Sequence, residues 1–263
     1  MGKRLMAKRL IRGGLLAVTA AFAVSASLAA WAADEEIKIP HQEWSFYGVF
    51  GTFDRAAEQR GFQVYKDVCS ACHSLNLLAY RDLEEIGLTP EQVKSVAESV
   101  QVSDGPNDLG QMFERPGKPS DRFKAPFANA EAARTANNGA LPPDLSVIVK
   151  AREGGPDYLY AILTGFKEPP PGFAMTQGMS YDTAFPGHQI AMPPPLSEGV
   201  VTYADGTKAT VPQMAHDVAT FLSWAANPEL DTRHRVGVKT MIFLVVFTGL
   251  LYAVKRKVWA DVH

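Results

Sequence analysis

The chain has 263 residues, 46% of them hydrophobic and 21% charged, with a formal net charge of -2. That length allows one large domain, or one domain with appendages. The balance of charge offers none of the basic excess that nucleic-acid binding draws on, so nucleic acid is not an expected partner.

Residues 1-32 read as a secretory signal peptide. Lys3, Arg4, Lys8, Arg9 and Arg12 precede an apolar run from Leu15 to Ala30, and Ala30-Trp31-Ala32 supplies a small-x-small cleavage pattern. Removing these five bases leaves 21 basic against 28 acidic residues, about -7 for the mature chain. An acidic surface suits a basic partner and speeds encounter more than it adds affinity. The same surface also serves simple solubility. Asp34 to Gly51 is irregular around Pro40, and its aromatics Trp44, Phe46, Tyr47 and Phe50 are expected to pack over the domain. Thr52 to Val68 predicts a helix, with Phe53, Ala56, Ala57, Val64, Tyr65 and Val68 near helical spacing.

That helix delivers the chain to Cys69-Ser70-Ala71-Cys72-His73. C-x-x-C-H is the attachment pattern of a c-type haem. Each thiol adds to one vinyl group, the two-residue spacer brings both sulfurs to one side of the macrocycle, and His73 becomes the proximal ligand. A zinc or redox C-x-x-C is the competing reading. Zinc would need two further ligands at compatible spacing, and Cys69 and Cys72 are the only cysteines. If both carry haem, no structural disulfide remains, and the core rests on burial and on the haem.

Thr89-Pro90-Glu91-Gln92 predicts a capped helix start, running to about Val100. Residues 103-128 are rich in Gly, Pro and Asp and predict a long loop containing Met112. Glu131 to Thr135 predicts a short helix. In Asn137-Asn138-Gly139-Ala140-Leu141-Pro142-Pro143 the prolines can continue neither ladder nor helix. The Leu-Pro-Pro stretch is shaped to lie flat on a haem edge, or to serve as an ordinary linker. Ser146 to Arg152 is expected to be helical. Asp157 is expected to N-cap a helix from Tyr158 to Thr164, with Gly165 as its stop. By spacing alone, Tyr158 and Ile162 share a face and suit a core. Residues 166-195, with triple prolines at 169-171 and 193-195, predict a structured loop. Tyr203-Ala204-Asp205-Gly206-Thr207 carries a hairpin signal. Pro212 to Ala226 returns to helix, ended by Asn227-Pro228.

Val236 to Val254 is an apolar run of 19 residues, interrupted by Lys239 near one end. That length spans a bilayer core as a helix, and the lysine can snorkel. Lys255-Arg256-Lys257 and Trp259 follow at one interface, while Arg233, His234 and Arg235 flank the other. Basic residues at both ends leave the charge rule ambiguous, and the signal peptide sets the orientation. The organisation expected is therefore a signal peptide at 1-32, a haem domain at 33-230, and an anchor with a short tail at 231-263.

A six-coordinate haem needs a second ligand. Met241 lies in the span, and Met214 and His216 fall on the helix after Pro212, where methionine more often fills a core. Met192 is followed by three prolines that would stiffen its position, and a thioether favours ferrous iron. On the residues alone Met192 stands only slightly ahead of Met175, Met179 and His188, the last giving a bis-histidine site.

The sequence resembles the cytochrome c1 family of the cytochrome bc1 complex. The matching segments are Val68 to Ser74, Asp104 to Asn107, Met112 to Lys118, Ala136 to Ser146 and Ala151 to Tyr158. They continue through Phe185-Pro186-Gly187, Ile190 to Leu196, Asp205-Gly206-Thr207, Phe221 to Ala226 and Tyr252 to Arg256. The leader and compact loops look like an alphaproteobacterial member. The resemblance implies a mainly α fold: a cytochrome c-type haem domain with long loops, a small β-hairpin and one C-terminal transmembrane helix. It implies one covalent haem c, with His73 and Met192 as axial ligands. It implies a pocket lined by Asn137, Ala140, Pro142, Pro143, Tyr158, Ile162, Phe185 and Ile190, and Arg152 pairing with a haem propionate. The chain departs from some members in lacking extra cysteines for a disulfide.

The function implied is electron transfer from the Rieske iron-sulfur protein to a soluble cytochrome c. The chain would act as a non-catalytic subunit of quinol-cytochrome c reductase, with cytochrome b, in a dimeric complex of the bacterial inner membrane and with the haem domain in the periplasm. A free-standing membrane-anchored cytochrome c is the alternative, and predicts a flexible linker before the anchor. A five-coordinate haem enzyme or gas sensor is a second, and predicts ready binding of carbon monoxide.

Overall fold

The computed structural model describes residues 37-261. The expected signal peptide lies outside them. Helix α1 runs Arg55–Asp67, later than the expected start at Thr52. The reason is Asp54, whose carboxylate accepts from the Ala56 and Ala57 N–H groups and so sets the N-cap. Short 3₁₀ helices follow at Cys69–Ala71 and Tyr80–Ile86.

Helix α2 runs Pro90–Glu98 and begins as its sequence predicts. Gln92 N–H donates to Thr89 Oγ1 at 3.3 Å, and Thr89 N–H donates to the Gln92 side chain at 2.8 Å. The expected loop over 103-128 instead contains paired backbone. Strand β1, Gln101–Asp104, lies antiparallel to β2, Phe113–Pro116, with Gln101 opposite Pro116. Arg115 organises this hairpin: its guanidinium bonds Asp104 and also Asp121, the latter at 2.6 and 3.0 Å. Arg115 holds the Asp121 carboxyl down to about 2.

Helix α3, Ala130–Ala136, is capped by Asn129, and α4 covers only Ile148–Ala151. Helix α5, Gly155–Thr164, corrects the expected cap: Gly154 is the N-cap and Asp157 lies inside the first turn. Strands β3, Ser180–Tyr181, and β4, Gln189–Ile190, form a short antiparallel pair within the long loop. The hairpin expected at 203-207 is a turn without strands. There Asp205 accepts from the Thr207 N–H and is held by Arg60 at 2.9 Å. Helix α6 runs Val211–Ala226, and α7 runs Leu230–Val258.

The core forms where α1 crosses α6. Phe62 and Tyr65 of α1 meet Phe221 of α6 with ring centroids 5.7 and 5.9 Å apart. Burying each such ring contributes about 2 kcal/mol. Gly61 permits the close approach, since a Cβ there would sit 2.0 Å from the Asp217 carbonyl oxygen. Beside it, Arg60 forks onto the buried Asp217 carboxylate at 2.9 and 3.1 Å. Trp44 and Phe46 are buried as expected, but Tyr47 and Phe50 are exposed. None of α7 is buried within the chain.

Candidate functional site

The Cys69–Ala71 turn places Cys69 half-buried and Cys72 exposed. Burial pushes the Cys69 thiol up to about 12, with Cys72 adding to the effect. The next residue, His73, has its Nδ1 at 2.8 Å from the Pro143 carbonyl oxygen. As a carbonyl only accepts, Nδ1 carries the proton and Nε2 is the nitrogen left as a donor to a metal. Burial lowers the His73 pKa, against the Pro143 carbonyl and Asp144, which favours the neutral, ligating form.

Asp144 ties this turn to the proline segment, a role the sequence reading missed. Its carboxylate accepts from Ser74 Oγ at 2.7 Å, from Asn76 N–H at 2.9 Å and from Ser146 N–H at 2.9 Å. Leu145 N–H adds a bond to the Ser74 carbonyl at 2.9 Å. Burial pushes the Asp144 carboxyl up, but these bonds outweigh it and hold it below the usual range. The available signal was a hydroxyl next to His73 and an acid directly after Pro142-Pro143. On the same segment, Asn137 caps α3, its side-chain amide donating to the Ala133 carbonyl, and Ala140 N–H donates to the Asn137 carbonyl. Ala140 and Pro142 are half-buried and Pro143 is exposed.

A second apolar cluster stands apart from the main core. Ala161, Ile162 and Ala184 are buried in it, and Ile39, Tyr158, Phe185, Ile190 and Met192 pack around them. The structure thus brings together Tyr158, Ile162, Phe185, Ile190 and Met192, drawn from α5, β4 and the loops beside them. Asp182 shapes this wall by accepting from the Ala184 and Phe185 N–H groups at 2.8 and 3.0 Å. Burial raises its carboxyl, and these two N–H groups oppose the rise. His188, a candidate ligand by sequence, has its ring Nδ1 on the Asp182 carbonyl oxygen at 3.0 Å and stacks on Tyr181. Met175 is half-buried, and Met179 is 40% exposed. Neither belongs to the cluster.

Asp157, displaced from its expected capping role, clamps the segment that leads into the domain. It accepts from His41 Nδ1 at 2.8 Å, from Gln42 N–H at 3.1 Å and from the Trp44 indole N–H at 2.6 Å. This clamp seats Ile39 against the second cluster. Arg152 is exposed and has no carboxylate partner among the described residues; it donates to the Ala151 carbonyl at 3.3 Å and hydrogen-bonds the Tyr158 hydroxyl. Burial raises the Tyr158 hydroxyl, and Arg152 opposes the rise.

The donor set suits a c-type haem: two neighbouring thiols, a neutral imidazole with a fixed tautomer, a thioether in an apolar wall, and a cation open to a carboxylate. Chemistry of this kind, on a helical domain ending in a bare apolar helix, belongs to the membrane-anchored c-type cytochromes.

Residues 44–262 match the model of the Cytochrome C1 family. The chain is 43% identical to cytochrome c1 of Rhodospirillum rubrum, over 93% of this chain and 96% of that one. It is 49% identical to the mitochondrial cytochrome c1 heme protein of Saccharomyces cerevisiae, over 88% of this chain and 75% of that one. It is 50% identical to cytochrome b/c1 of Bradyrhizobium diazoefficiens, over 86% of this chain but only 36% of that longer relative. The chain belongs to the cytochrome c1 family. The family binds haem c and serves as the electron-transfer subunit of the bc1 complex, with cytochrome b and the Rieske protein.

Proposed function

We propose that this chain carries one haem c, accepts electrons from the Rieske iron-sulfur protein and hands them to a soluble cytochrome c. It does so as an electron-transfer subunit, without bond-making chemistry of its own, in a dimeric complex. Residues 33-230 form the haem domain on the periplasmic side, and residues 231-263 form the anchor and tail. The observation that carries this reading is the tie between His73 Nδ1 and the Pro143 carbonyl. It leaves a single ring nitrogen for iron, on the residue directly after Cys72.

Haem c, when bound, supplies a one-electron iron couple. Cys69 and Cys72 would hold it covalently, and His73 Nε2 and the Met192 thioether would be its iron ligands, the thioether favouring ferrous iron. Tyr158, Ile162, Phe185 and Ile190 would keep water from the group beside Met192, with Asn137, Ala140, Pro142 and Pro143 also lining the pocket. Arg152 would pair with a carboxylate of the group. The fold favours a fixed carrier over a swinging one. Three residues, Asn227 to Glu229, separate α6 from α7. Asp231 of α7 accepts from Phe53 N–H at 3.1 Å and from Arg55 at 3.3 Å, while His234 Nδ1 lies 2.7 Å from the Gly51 carbonyl oxygen.

The test is purification in mild detergent through a C-terminal tag, with optical spectra before and after adding a quinol. Co-purifying b-type haem and inhibitor-sensitive reduction of the c-type haem are expected. A c-type spectrum alone, not reduced by quinol, would instead favour a free-standing carrier.

A further inference from the structure

A buried acid stands behind the second apolar cluster. Asp182 is fully buried; its Oδ1 accepts from the Ala184 and Phe185 N–H groups at 2.8 and 3.0 Å, while Oδ2 has no hydrogen-bond partner among the described residues. We infer that Asp182 takes up a proton when the haem is reduced, and so makes the midpoint potential of the haem fall as pH rises. The inference rests on the haem site proposed above.

The backbone holds Asp182 in place. Its N–H donates to the His188 carbonyl at 3.2 Å, and its own carbonyl oxygen lies 3.0 Å from His188 Nδ1. On its other edge it pairs with Phe166 in an antiparallel bridge. The end of α5 closes against the carboxylate: a Cβ on Gly165 would sit 3.0 Å from both Asp182 Oδ1 and Thr183 Oγ1. The two N–H groups on Oδ1 belong to Ala184, buried in the second cluster, and to Phe185, packed around it. The carboxyl is thus tied by its hydrogen bonds to the wall that Met192 packs against.

Few charges act on this carboxyl. His188 favours its ionised form, Tyr158 of α5 faces it as a titratable hydroxyl, and Arg152 is bonded to that hydroxyl. Lys167 and Glu168, just past the Phe166 bridge, are exposed. Burial pushes the Asp182 carboxyl up, and the two N–H groups and His188 only oppose the rise. A carboxylate oxygen without a partner in a dry surrounding is costly, so the acid titrates above the usual carboxylate range. Ferric haem iron carries one more positive charge than ferrous. Ionised Asp182 therefore favours the ferric form and lowers the potential, while neutral Asp182 does not. On reduction one electron enters the iron, and the carboxylate takes one proton from solvent to become the acid, so charge balances. At an effective dielectric of about 20, a unit charge within roughly 10 Å changes a proton affinity about tenfold.

The test is optical redox titration of the full haem-loaded chain in detergent, from acidic to alkaline pH. The wild-type midpoint should drop by about 59 mV between its acid and alkaline plateaus, the equivalent of tenfold stronger proton binding in the ferrous state. Asp182→Asn keeps an oxygen for the two N–H groups but cannot ionise. Its midpoint should stay at the acid plateau of the wild type at every pH. In reduced-minus-oxidised infrared difference spectra, the wild type should gain a carboxylic acid C=O band that D182N lacks. A wild-type midpoint independent of pH overturns the inference. An equal drop in D182N also overturns it, because the proton then belongs to another group, such as a haem carboxylate. His188→Gln should keep the drop; its loss there, with retention in D182N, assigns the proton to His188 and overturns the inference too. Failure of the haem site itself is distinct: a chain with no c-type spectrum at any pH refutes that reading before any variant is compared.

Discussion

Glu58 is fully buried on α1, and replacing it with glutamine should make the haem domain more stable at alkaline pH. One carboxylate oxygen accepts from Arg55 Nη1 at 2.8 Å, while the other has no hydrogen-bond partner among the described residues. Burial raises its pKa from 4.5 to about 7, the Arg55 guanidinium opposes the rise, and Asp231 and Asp54 add to it. A folded pKa above the unfolded one means that folding favours the protonated form. Its contribution to stability is fully present below about pH 4.5 and is lost as pH rises through about 7. At about 1.4 kcal/mol per pH unit, ionised Glu58 costs the folded state about 3 kcal/mol. Glutamine keeps the shape and the neutral charge of the protonated acid. Arg55 loses a partner, but its side chain is 48% exposed, so that loss is small. Denaturant unfolding of both full chains in detergent, followed by near-ultraviolet circular dichroism, gives the comparison. Between pH 4 and pH 8 the wild type should lose about 3 kcal/mol relative to E58Q. A stability difference that stays constant across that range would refute the reasoning.

Gly61→Ala should destabilise the domain by about 3 kcal/mol, because the added methyl meets the Asp217 carbonyl and must force α1 from α6; denaturant midpoints measure it. Asp157→Ala should cost about 2 kcal/mol by leaving the buried Trp44 indole N–H unpaired. His41→Ala should cost much less, since its side chain is 68% exposed, and a thermal scan of the two variants separates the effects. Met192→Ala should open the distal position, so that the ferrous protein binds carbon monoxide while the wild type binds little. Equal binding by both, read from the optical spectrum, removes Met192 as the sixth ligand.

What the sequence determined by itself was local or compositional. C-x-x-C-H carries its spacing within five residues, and the Thr89 capping box closes within four, so neither needs the rest of the chain. The length of the apolar run before Lys255 is likewise a property of one segment. The tertiary structure decided which distant groups these signals meet. Asp157 looked like a helix cap because acids often are; its partners His41 and Trp44 lie more than 110 residues away, and only packing brings them to it. Asp144 reached Ser74 across 70 residues for the same reason. The Asp205-Gly206 signal promised strands, but a turn makes a hairpin only when its flanks can pair, and Asp205 is held by Arg60 of α1. Strands formed instead at 101-104 and 113-116, where Arg115 bridges Asp104 and Asp121. Folding likewise set the His188 ring on the Asp182 carbonyl and Tyr181, and packed Met192 against the Ile162 cluster, contacts that neither residue's place in the chain displays. Hydrogen-bond partners and burial are properties of neighbours in space, which the order of residues does not display.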